Sequence, residues 1–508
     1  MRIGGGVMNT NNKDTAIYKW KCTICGEIIE GVEPPESCPV CGVGPEMFVK
    51  VEEKEEPAKV KKEDTKTYKW KCTICGEIIE GVEPPESCPV CGVGPELFVK
   101  LEVATTSEEK INPNKDEKIV IIGASGAGMG AAVEIRKRNK KCNLTIISKE
   151  DVKGYYRPQL SKMLSNESVT IESMTIRDDE WFEENNVNLL LGKVVERIDT
   201  ESKKVILEDG EEISYSKLII ASGAEVFVPP FSGREKSGVF TLRYAKDGKE
   251  IKEYAKNKKT GVVIGGGILG LEAANELRNL GLNVTVIEVA DRILPRQLDP
   301  DASKILEEIV EKSGIIFKKG VGTKEIIGGY KVSGILLDNG ETVDADVVIV
   351  STGIKANSKI AEGTGVEIKR AIVVNDKMET AAKDIYACGD CAEYNGINYA
   401  LWGEAIEQGK TAGINAIGGS SVYETIIPST TLNAFGSSVF SIGDVGSNSN
   451  VDYEIFEEFD GKNYKKLYFN NNILSGGILI GDISKTVILI EGFEKSKNME
   501  EMIEKIKS

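Results

Sequence analysis

The feature that most constrains this chain is a cysteine-rich block that occurs twice. Residues 18–50 read YKWKCTICGEIIEGVEPPESCPVCGVGPEMFVK, and residues 68–100 repeat this block with a single change, from Met47 to Leu97. The cysteines of the two copies are Cys22, Cys25, Cys38 and Cys41, and Cys72, Cys75, Cys88 and Cys91. Two C-x-x-C pairs in each copy predict a tetrahedral four-thiolate site, which suits iron or zinc.

Disulfide bonds are the alternative for these cysteines. C-x-x-C pairs in a chain without a signal-peptide pattern favour metal over disulfides. A block of this size cannot bury enough apolar surface to fold on hydrophobic contacts alone, so metal ligation must supply much of its folding free energy. We therefore expect two small metal-knuckle domains, at residues 17–50 and 67–100. The charged segments 51–66 and 101–117 are predicted to be linkers.

Composition excludes several kinds of partner and chemistry. The net charge of −16 argues against binding to nucleic acid or to an anionic membrane. No apolar run approaches the roughly 18 residues of a spanning helix, so we expect a cytoplasmic protein without a membrane partner. The chain contains no histidine, which excludes catalytic triads and every imidazole metal ligand.

The start of the chain carries a separate expectation. Codons for Gly5, Gly6 and Val7 can spell a ribosome-binding sequence just ahead of Met8. We therefore expect translation to begin at Met8 rather than Met1, and residues 1–7 to carry no function.

Two glycine-rich loops indicate dinucleotide binding after residue 117. In the second loop, a buried apolar run precedes GGGILG at residues 265–270, a helix follows, and the next strand ends in Glu288. Glycines allow close approach of the backbone to a pyrophosphate, and the acid can accept hydrogen bonds from a ribose 2′-hydroxyl, which favours NAD over NADP. The first loop, GASGAG at residues 123–128, has Ser125 in place of the central glycine, and its acid is displaced to Glu150.

Several further segments match one protein family. These are KLIIASG at 217–223, DVVIVSTG at 346–353, TAAKDIYACGD at 380–390, LPRQLD at 294–299 and LWGEA at 401–405. From residue 118 to about 481 the chain resembles the two-dinucleotide flavoprotein oxidoreductases, and most closely the NADH:rubredoxin reductases. The cysteine-rich blocks resemble short rubredoxin domains, which implies one iron ion in each. Zinc ribbons share the C-P-x-C-G element, so zinc is the alternative metal.

The resemblance implies two sets of cofactor-binding residues. Those expected to bind FAD are Gly123, Ser125, Gly128, Glu150, Arg157, Pro158, Val195, Ser222, Gly223, Asp390 and Trp402. Those expected to bind NAD are Gly265, Gly267, Gly270, Glu272, Glu288 and Gly353. Arg157 and Lys162 are expected beside the flavin, and no residue is assigned as a catalytic acid or base.

The resemblance also implies a fold and a domain order. We predict an α/β protein with two Rossmann-like domains, a small α+β C-terminal domain and two rubredoxin-like domains in front. The FAD-binding domain is predicted at residues 118–228 and 346–420, the NAD-binding domain at 229–345 and the C-terminal domain at 421–508.

The function implied by this resemblance is electron transfer from NADH through FAD to the two iron centres and on to an external acceptor. Rubrerythrin, flavodiiron protein or superoxide reductase is the kind of redox partner expected, in the oxygen and peroxide defence of an anaerobe. The alternatives are a flavin-dependent NADH oxidase or peroxidase with structural zinc, and a reductase whose repeats only recruit a partner.

Three cysteines lie outside the repeats. Cys388 and Cys391 flank Asp390 in a C-x-x-C pair, for which we expect small buried side chains rather than a redox dithiol. Cys142 lies between a lysine-rich helix end and a strand, and we expect it at the surface or an edge. Disulfide reduction is not expected, because the segment GYYRPQLSKML beside the predicted flavin contains no cysteine.

Overall fold

Apolar runs separated by glycine turns organise most of this chain into parallel sheets. The computed structural model describes residues 18–22, 28–35, 45, 48–51, 68–73, 77–89, 93–101, 116–425 and 427–507. It divides into two units, residues 1–66 and residues 67–508. The second repeat therefore belongs to the same unit as the α/β region.

Each cysteine-rich repeat contains a three-stranded antiparallel sheet. The strands are Tyr18–Cys22, Ile28–Gly31 and Phe48–Val51 in the first repeat, and Tyr68–Cys72, Ile78–Gly81 and Phe98–Leu101 in the second. Each first strand pairs with both others, in the same register in the two copies. Residues 52–66 and 102–115 of the predicted linkers lie outside the described residues. So do five of the predicted ligands, namely Cys25, Cys38, Cys41, Cys75 and Cys91.

The first parallel sheet has five strands and carries the first glycine loop. In sheet order the strands are Ile385–Ala387, Lys217–Ile220, Lys118–Ile122, Asn143–Ile147 and Val187–Leu190. Helix Gly126–Arg138 crosses from the central strand to the next one and packs on helix Trp402–Ala416. These helices approach closely because Gly409 and Gly413 face the backbone of Ala127 and Ala131.

A second parallel sheet repeats this arrangement. Its strands, in sheet order, are Val239–Phe240, Val347–Val350, Thr260–Ile264, Asn283–Glu288 and Ile316–Lys319. Its helices are Ala245–Ala255, Ile268–Asn279 and Pro300–Lys312. The prediction that residues from 346 onward return to the first domain is wrong at its start, because Val347–Val350 pairs beside Thr260–Ile264 inside the second sheet.

Smaller sheets and strand pairs, all antiparallel except the pair formed by Ile372–Val374 and Ala392–Tyr394, accompany the two parallel sheets. One three-stranded sheet is Val195–Asp199, Lys204–Leu207 and Glu212–Ser214, and the other is Thr323–Gly328, Val332–Leu337 and Thr342–Asp344. Ala224–Val226 pairs with Ile354–Ala356, and Ile372–Val374 pairs with Ala392–Tyr394. A short helix, Asp179–Glu184, begins at Asp178, whose side chain accepts a hydrogen bond from the backbone of Trp181.

The C-terminal region is a five-stranded antiparallel sheet covered by two helices. In sheet order the strands are Ser429–Ala434, Ser437–Gly443, Ile473–Ile480, Tyr464–Asn470 and Glu454–Phe459. The helices are Thr486–Glu494 and Met499–Lys507. Among the helices in the described parts of the chain, none combines the length and the hydropathy that a bilayer crossing requires.

A buried ion pair between Lys466 and Asp299 joins the C-terminal sheet to helix Pro300–Lys312, and the more exposed Asp301 adds to it. The ammonium of Lys466 lies 2.6 Å from Asp299 Oδ2 and 2.8 Å from Asp301 Oδ2. Tyr468 also donates its hydroxyl to Asp299, at 2.6 Å, while the other carboxylate oxygen of Asp299 accepts from Ala302 N at the start of helix Pro300–Lys312. These carboxylates outweigh burial and raise the pKa of Lys466, so the lysine stays charged.

Replacing Lys466 by methionine should therefore destabilise the protein. The substitution leaves the carboxylate of Asp299 buried without its cation, and breaking a buried pair in this way costs about 3–5 kcal/mol. Urea unfolding followed by circular dichroism measures the loss. Lys465→Met is the matched control, because Lys465 pairs only loosely with Glu458, at 3.9 Å, and should cost less than about 1 kcal/mol. An equal loss of unfolding free energy in the two variants would contradict the stabilising role of the pair formed by Lys466 and Asp299.

Candidate functional site

A single cleft of about 2120 Å³ lies where the strands of both parallel sheets end. Apart from two glycines, every residue predicted to bind FAD or NAD lines it, as does Lys162. The exceptions are Gly128 and Gly270, which lie beneath the loops, each against the carbonyl of the first glycine of its loop. The structure thus brings together the nucleotide-binding residues predicted from two halves of the sequence, and their roles toward the cofactors stay predictions.

The first glycine loop presents a helix end to the cleft. Gly123 has φ of +110°, and a side chain there would overlap the carbonyl of Ala221 in the neighbouring strand. Helix Gly126–Arg138 then begins after Ser125, which does not cap it with its side chain. The unpaired N–H groups and the dipole of such a helix end favour a phosphate group. Ser125 in place of glycine is therefore compatible with the predicted pyrophosphate site.

The second loop has the same geometry. Gly265 has φ of +112°, and a side chain there would overlap the carbonyl of Ser351. Gly267 precedes helix Ile268–Asn279 without a side-chain cap, and no atom lies within 4 Å of the position a Cβ would take. This loop therefore leaves room for a ligand to approach the backbone, as a bound dinucleotide requires.

Glu288 ends the strand that follows the second loop. Its carboxylate accepts hydrogen bonds from Gly266 N at 2.6 Å and from Ala290 N at 2.8 Å. These contacts hold the carboxylate at the rim of the cleft, where its remaining lone pairs can accept from ribose hydroxyls. A 2′-phosphate in the same place would meet a like charge.

Glu150 belongs to a charged cluster beside the first loop. Arg157 Nη2 lies 2.7 Å from Glu150 Oε1, and Tyr155 donates its hydroxyl to the other oxygen at 2.9 Å. Burial, reinforced by the neighbouring carboxylate, raises the pKa of Tyr155 well above its ordinary value. Arg157 Nε also lies 3.4 Å from Ser125 Oγ, which links the acid to the glycine loop. The acid displaced in sequence thus lies beside the first glycine loop, and its role toward FAD stays a prediction.

Asp390 is held by an arginine that the sequence analysis missed. Arg243 Nη2 lies 2.7 Å from Asp390 Oδ2, and Arg243 Nε donates to Ala224 O at 3.1 Å. Asp390 itself lies in the turn Gly389–Cys391, directly after strand Ile385–Ala387. Arg243 and Asp390 are far apart in the sequence and share no motif. Their pairing could therefore be recognised only from the fold.

Lys162 forms a second missed pairing, with Glu276. Its ammonium lies 3.1 Å from Glu276 Oε1 and 3.0 Å from Asn433 O. The predicted Glu272 lies one helical turn earlier and accepts from Ser161 Oγ at 3.1 Å. Burial raises the pKa of Glu272 to about 7, against smaller opposing effects of Lys162 and the Ser161 hydroxyl. The cleft therefore contains a carboxyl group that changes charge near neutral pH.

Trp402 provides a buried donor on the opposite side of the cleft. Its indole ring packs against Gly126 of the first loop, and its Nε1 is buried without an acceptor among the described residues. A buried N–H without a partner is costly, which fits a site completed by a polar ligand. The helix ends, the open backbone at Gly267 and this donor together fit FAD and NAD.

The second repeat forms one wall of the cleft. Cys72, Leu97 and Val99 line it, and Cys72 and Cys88 are both buried. Thr73 donates its backbone N–H and its hydroxyl to Leu97 O, both at 2.9 Å, which fixes the chain after Cys72. Soft thiol donors fit iron or zinc, although no group of three or more ligand side chains falls within the described residues.

The cysteines outside the repeats are buried. Cys388 and Cys391 are 0% exposed, and the Cys391 thiol donates to the carbonyls of Ile220 and Cys388, each at 3.3 Å. Burial raises the pKa of both thiols, which favours packing over redox chemistry. The prediction that Cys142 lies at the surface is wrong. It is 1% exposed, because it packs under Arg136, whose Nη1 lies 3.1 Å from its sulfur.

Comparison with known families assigns most of the chain. Residues 117–409 match the family described as pyridine nucleotide-disulphide oxidoreductase. Residues 428–504 match the C-terminal domain of rubredoxin NAD+ reductase, and residues 20–49 and 70–99 match the rubredoxin-like domain of rubrerythrin. With the two parallel sheets and the antiparallel C-terminal sheet, these matches confirm the predicted fold class.

Individual relatives agree with this assignment. The NADH-rubredoxin oxidoreductase of Clostridium acetobutylicum is 34% identical over 390 residues, which are 76% of this chain and 97% of that protein. The nitrite reductase [NAD(P)H] of Bacillus subtilis is 37% identical over 388 residues, 76% of this chain and 48% of that protein. The chain spans about half the length of the two Bacillus subtilis relatives it matches.

Two solved structures share the architecture. The NADH:rubredoxin oxidoreductase from Clostridium acetobutylicum superposes with a TM-score of 0.64 at 33% identity, covering 76% of this chain and 97% of that one. A NAD-dependent persulfide reductase from A. fulgidus superposes with a TM-score of 0.71 at 28% identity, covering 76% and 78%.

The raised pKa of Glu272 predicts a pH-dependent stability. In the unfolded chain the carboxyl ionises near its ordinary 4.5, whereas the folded protein keeps the proton up to about pH 7. Stability is therefore lost as pH rises through this window, because the unfolded state binds fewer protons. Glu272→Gln removes this loss, so its melting temperature relative to the unmodified protein should rise between about pH 4.5 and 7 and then level off.

Calorimetry of the two cofactor-free proteins across this pH range measures the effect. Ser161→Ala is the companion variant, since removing the hydroxyl that bonds to the carboxylate should raise the pKa of Glu272 in the folded protein and so extend the upper end of the window to higher pH. A difference between Glu272→Gln and the unmodified protein that stays constant with pH would contradict the assignment.

Proposed function

Because the chain belongs to the pyridine nucleotide-disulphide oxidoreductase family, we propose that it transfers electrons from NADH through FAD to iron centres in its own two rubredoxin-like repeats. One observation carries this proposal: a single cleft is lined by both glycine loops and by Cys72 of the second repeat. When bound there, FAD supplies hydride acceptance from NADH and release of single electrons, and a four-thiolate iron accepts one electron.

The residues of the first loop would hold FAD. The end of helix Gly126–Arg138 would face the pyrophosphate, and Glu150, fixed by Arg157, would accept from the adenosine ribose. Asp390, held in place by Arg243, would bond to the ribityl chain. The partnerless Nε1 of Trp402 would gain an acceptor.

The second loop would hold NADH on the other side of the cleft. Glu288 would accept hydrogen bonds from the ribose hydroxyls of NADH, and the open backbone at Gly267 would leave room for the pyrophosphate. Lys162, which lines the cleft, pairs with Glu276 at 3.1 Å, so its ammonium would add little net charge to the site. No histidine is required, because hydride transfer between the two cofactors needs no protein acid or base.

The terminal acceptor would be an external redox protein. Rubrerythrin, flavodiiron protein and superoxide reductase are the candidates, since each would consume single electrons in oxygen or peroxide removal in the cytoplasm of an anaerobe. The relative named NADH-rubredoxin oxidoreductase, which this chain matches over 97% of its length, supports rubredoxin-type iron as the first acceptor.

Glu288 should make the enzyme prefer NADH to NADPH. Glu288→Arg should reduce or invert the ratio of kcat/KM for NADH to kcat/KM for NADPH. The change should correspond to about 2 kcal/mol, the size of a charge-assisted hydrogen bond. Glu288→Gln is the control, because it removes the repulsive charge while keeping the length of the side chain and one oxygen that can accept from Gly266 N or from Ala290 N. Equal kcat/KM for the two nucleotides in the unmodified enzyme would contradict this role.

Metal analysis and an anaerobic titration test the proposal as a whole. Protein grown with iron should contain one iron in each repeat, and NADH should bleach the ferric-thiolate absorption after reducing the flavin. The double variant Cys25→Ser and Cys75→Ser should lose the iron absorption while NADH still reduces the flavin. Protein that binds only zinc under these conditions, with its flavin reoxidised directly by oxygen, would instead support an NADH oxidase.

A further inference from the structure

The second repeat makes specific polar contacts with the FAD-binding region. Tyr156 donates its hydroxyl to Glu77 Oε1 at 3.2 Å, and the side-chain amide of Gln159 donates to Pro89 O. Tyr156 and Gln159 flank the segment beside the first glycine loop, and Glu77 and Pro89 lie next to the two metal knuckles. The contacts therefore hold the repeat where its Cys72 lines the cleft.

Charge and apolar surface complement these hydrogen bonds. The carboxylate of Glu77 interacts with the charges of Arg177 and Lys410 in the reductase region. Lys71 of the repeat in turn faces Glu404 at the start of helix Trp402–Ala416. An apolar cluster continues the interface, and its members include Cys72, Leu97, Phe98, Tyr156, Trp402, Ile427 and Ile483.

The first repeat has the same residues at the equivalent positions. Glu27 and Pro39 correspond to Glu77 and Pro89, and the repeats differ only at Met47 and Leu97. Sequence alone thus gives no reason for one repeat to be preferred. The chain nevertheless divides at residue 66, so the second repeat alone shares a unit with the reductase region.

We propose that the second repeat is the resident electron acceptor, held on the surface formed by Tyr156, Gln159 and Trp402, and that it is reduced before the first repeat. This inference rests on the proposed function. NADH supplies two electrons, and each one converts a ferric centre to a ferrous centre. With FAD and iron bound, the second repeat would hold the centre that accepts the first electron from the flavin, and the centre held by the first repeat would be reduced only after it.

Matched pairs of variants test this order, because the repeats are nearly identical. Stopped-flow mixing of the iron-loaded protein with NADH records flavin reduction and ferric-thiolate bleaching separately. Glu77→Ala should slow the bleaching by about fivefold, the effect of one lost hydrogen bond on the docked population, and leave flavin reduction unchanged. Glu27→Ala should leave both rates unchanged. Equal slowing by the two variants would overturn the proposal.

Removing one iron centre at a time gives a second readout. In the unmodified protein the bleaching should have a fast phase from the second repeat and a slow phase from the first. With Cys25→Ser, only the centre of the second repeat remains, and it should be reduced at the rate of the fast phase. With Cys75→Ser, the remaining centre should be reduced far more slowly. Equal rates in the two variants would overturn the resident role. No bleaching in the unmodified protein would instead count against the proposed function itself.

Cross-linking tests the docking without electron transfer. A photo-cross-linking amino acid in place of Gln159 is activated in the zinc-loaded full chain, which carries a protease site inserted within residues 52–66. Cleavage should release the first repeat, while the second repeat stays cross-linked to the reductase region after a second cut within residues 102–115. A first repeat that remains attached after the first cut would overturn the proposal.

Discussion

Two close approaches of backbone to backbone underlie the rest of this structure. Gly123 lies against Ala221, and Gly265 lies against Ser351, each where neighbouring parallel strands end. Any side chain at either glycine would push the loop away from the adjacent strand. The helices that follow would then no longer begin at the cleft. The charged residues around these helix ends would no longer face the same site.

Local sequence was enough to predict both glycine loops, because their information is contained in short segments. Strand, tight turn, helix and second strand follow one another within a few dozen residues, and each has its own pattern. Glu150 follows the second strand closely enough to be predicted in the same way, and its role toward FAD stays a prediction. The boundary at residue 346 was misplaced because an isolated apolar strand does not indicate which of two similar sheets it joins.

The residues that were missed belong to pairs that are distant in sequence. Arg243 meets Asp390, and Lys162 meets Glu276, only after both parallel sheets have formed. Cys142 was misjudged in a related way: lysines around it suggested solvent, but the buried side chain of Arg136 covers its sulfur. The division of the chain between its two repeats could not be predicted either, because the repeats have nearly the same sequence.

The burial of the remaining thiols gives the protein chemical durability. Outside the repeats the chain has three cysteines, Cys142, Cys388 and Cys391, and burial raises the pKa of each thiol. Oxidants attack the thiolate form, and sulfenic acid formation requires access to it. Neutral, covered sulfur atoms therefore leave the reductase region few sites for oxidative damage, so it can keep working when its surroundings become oxidising.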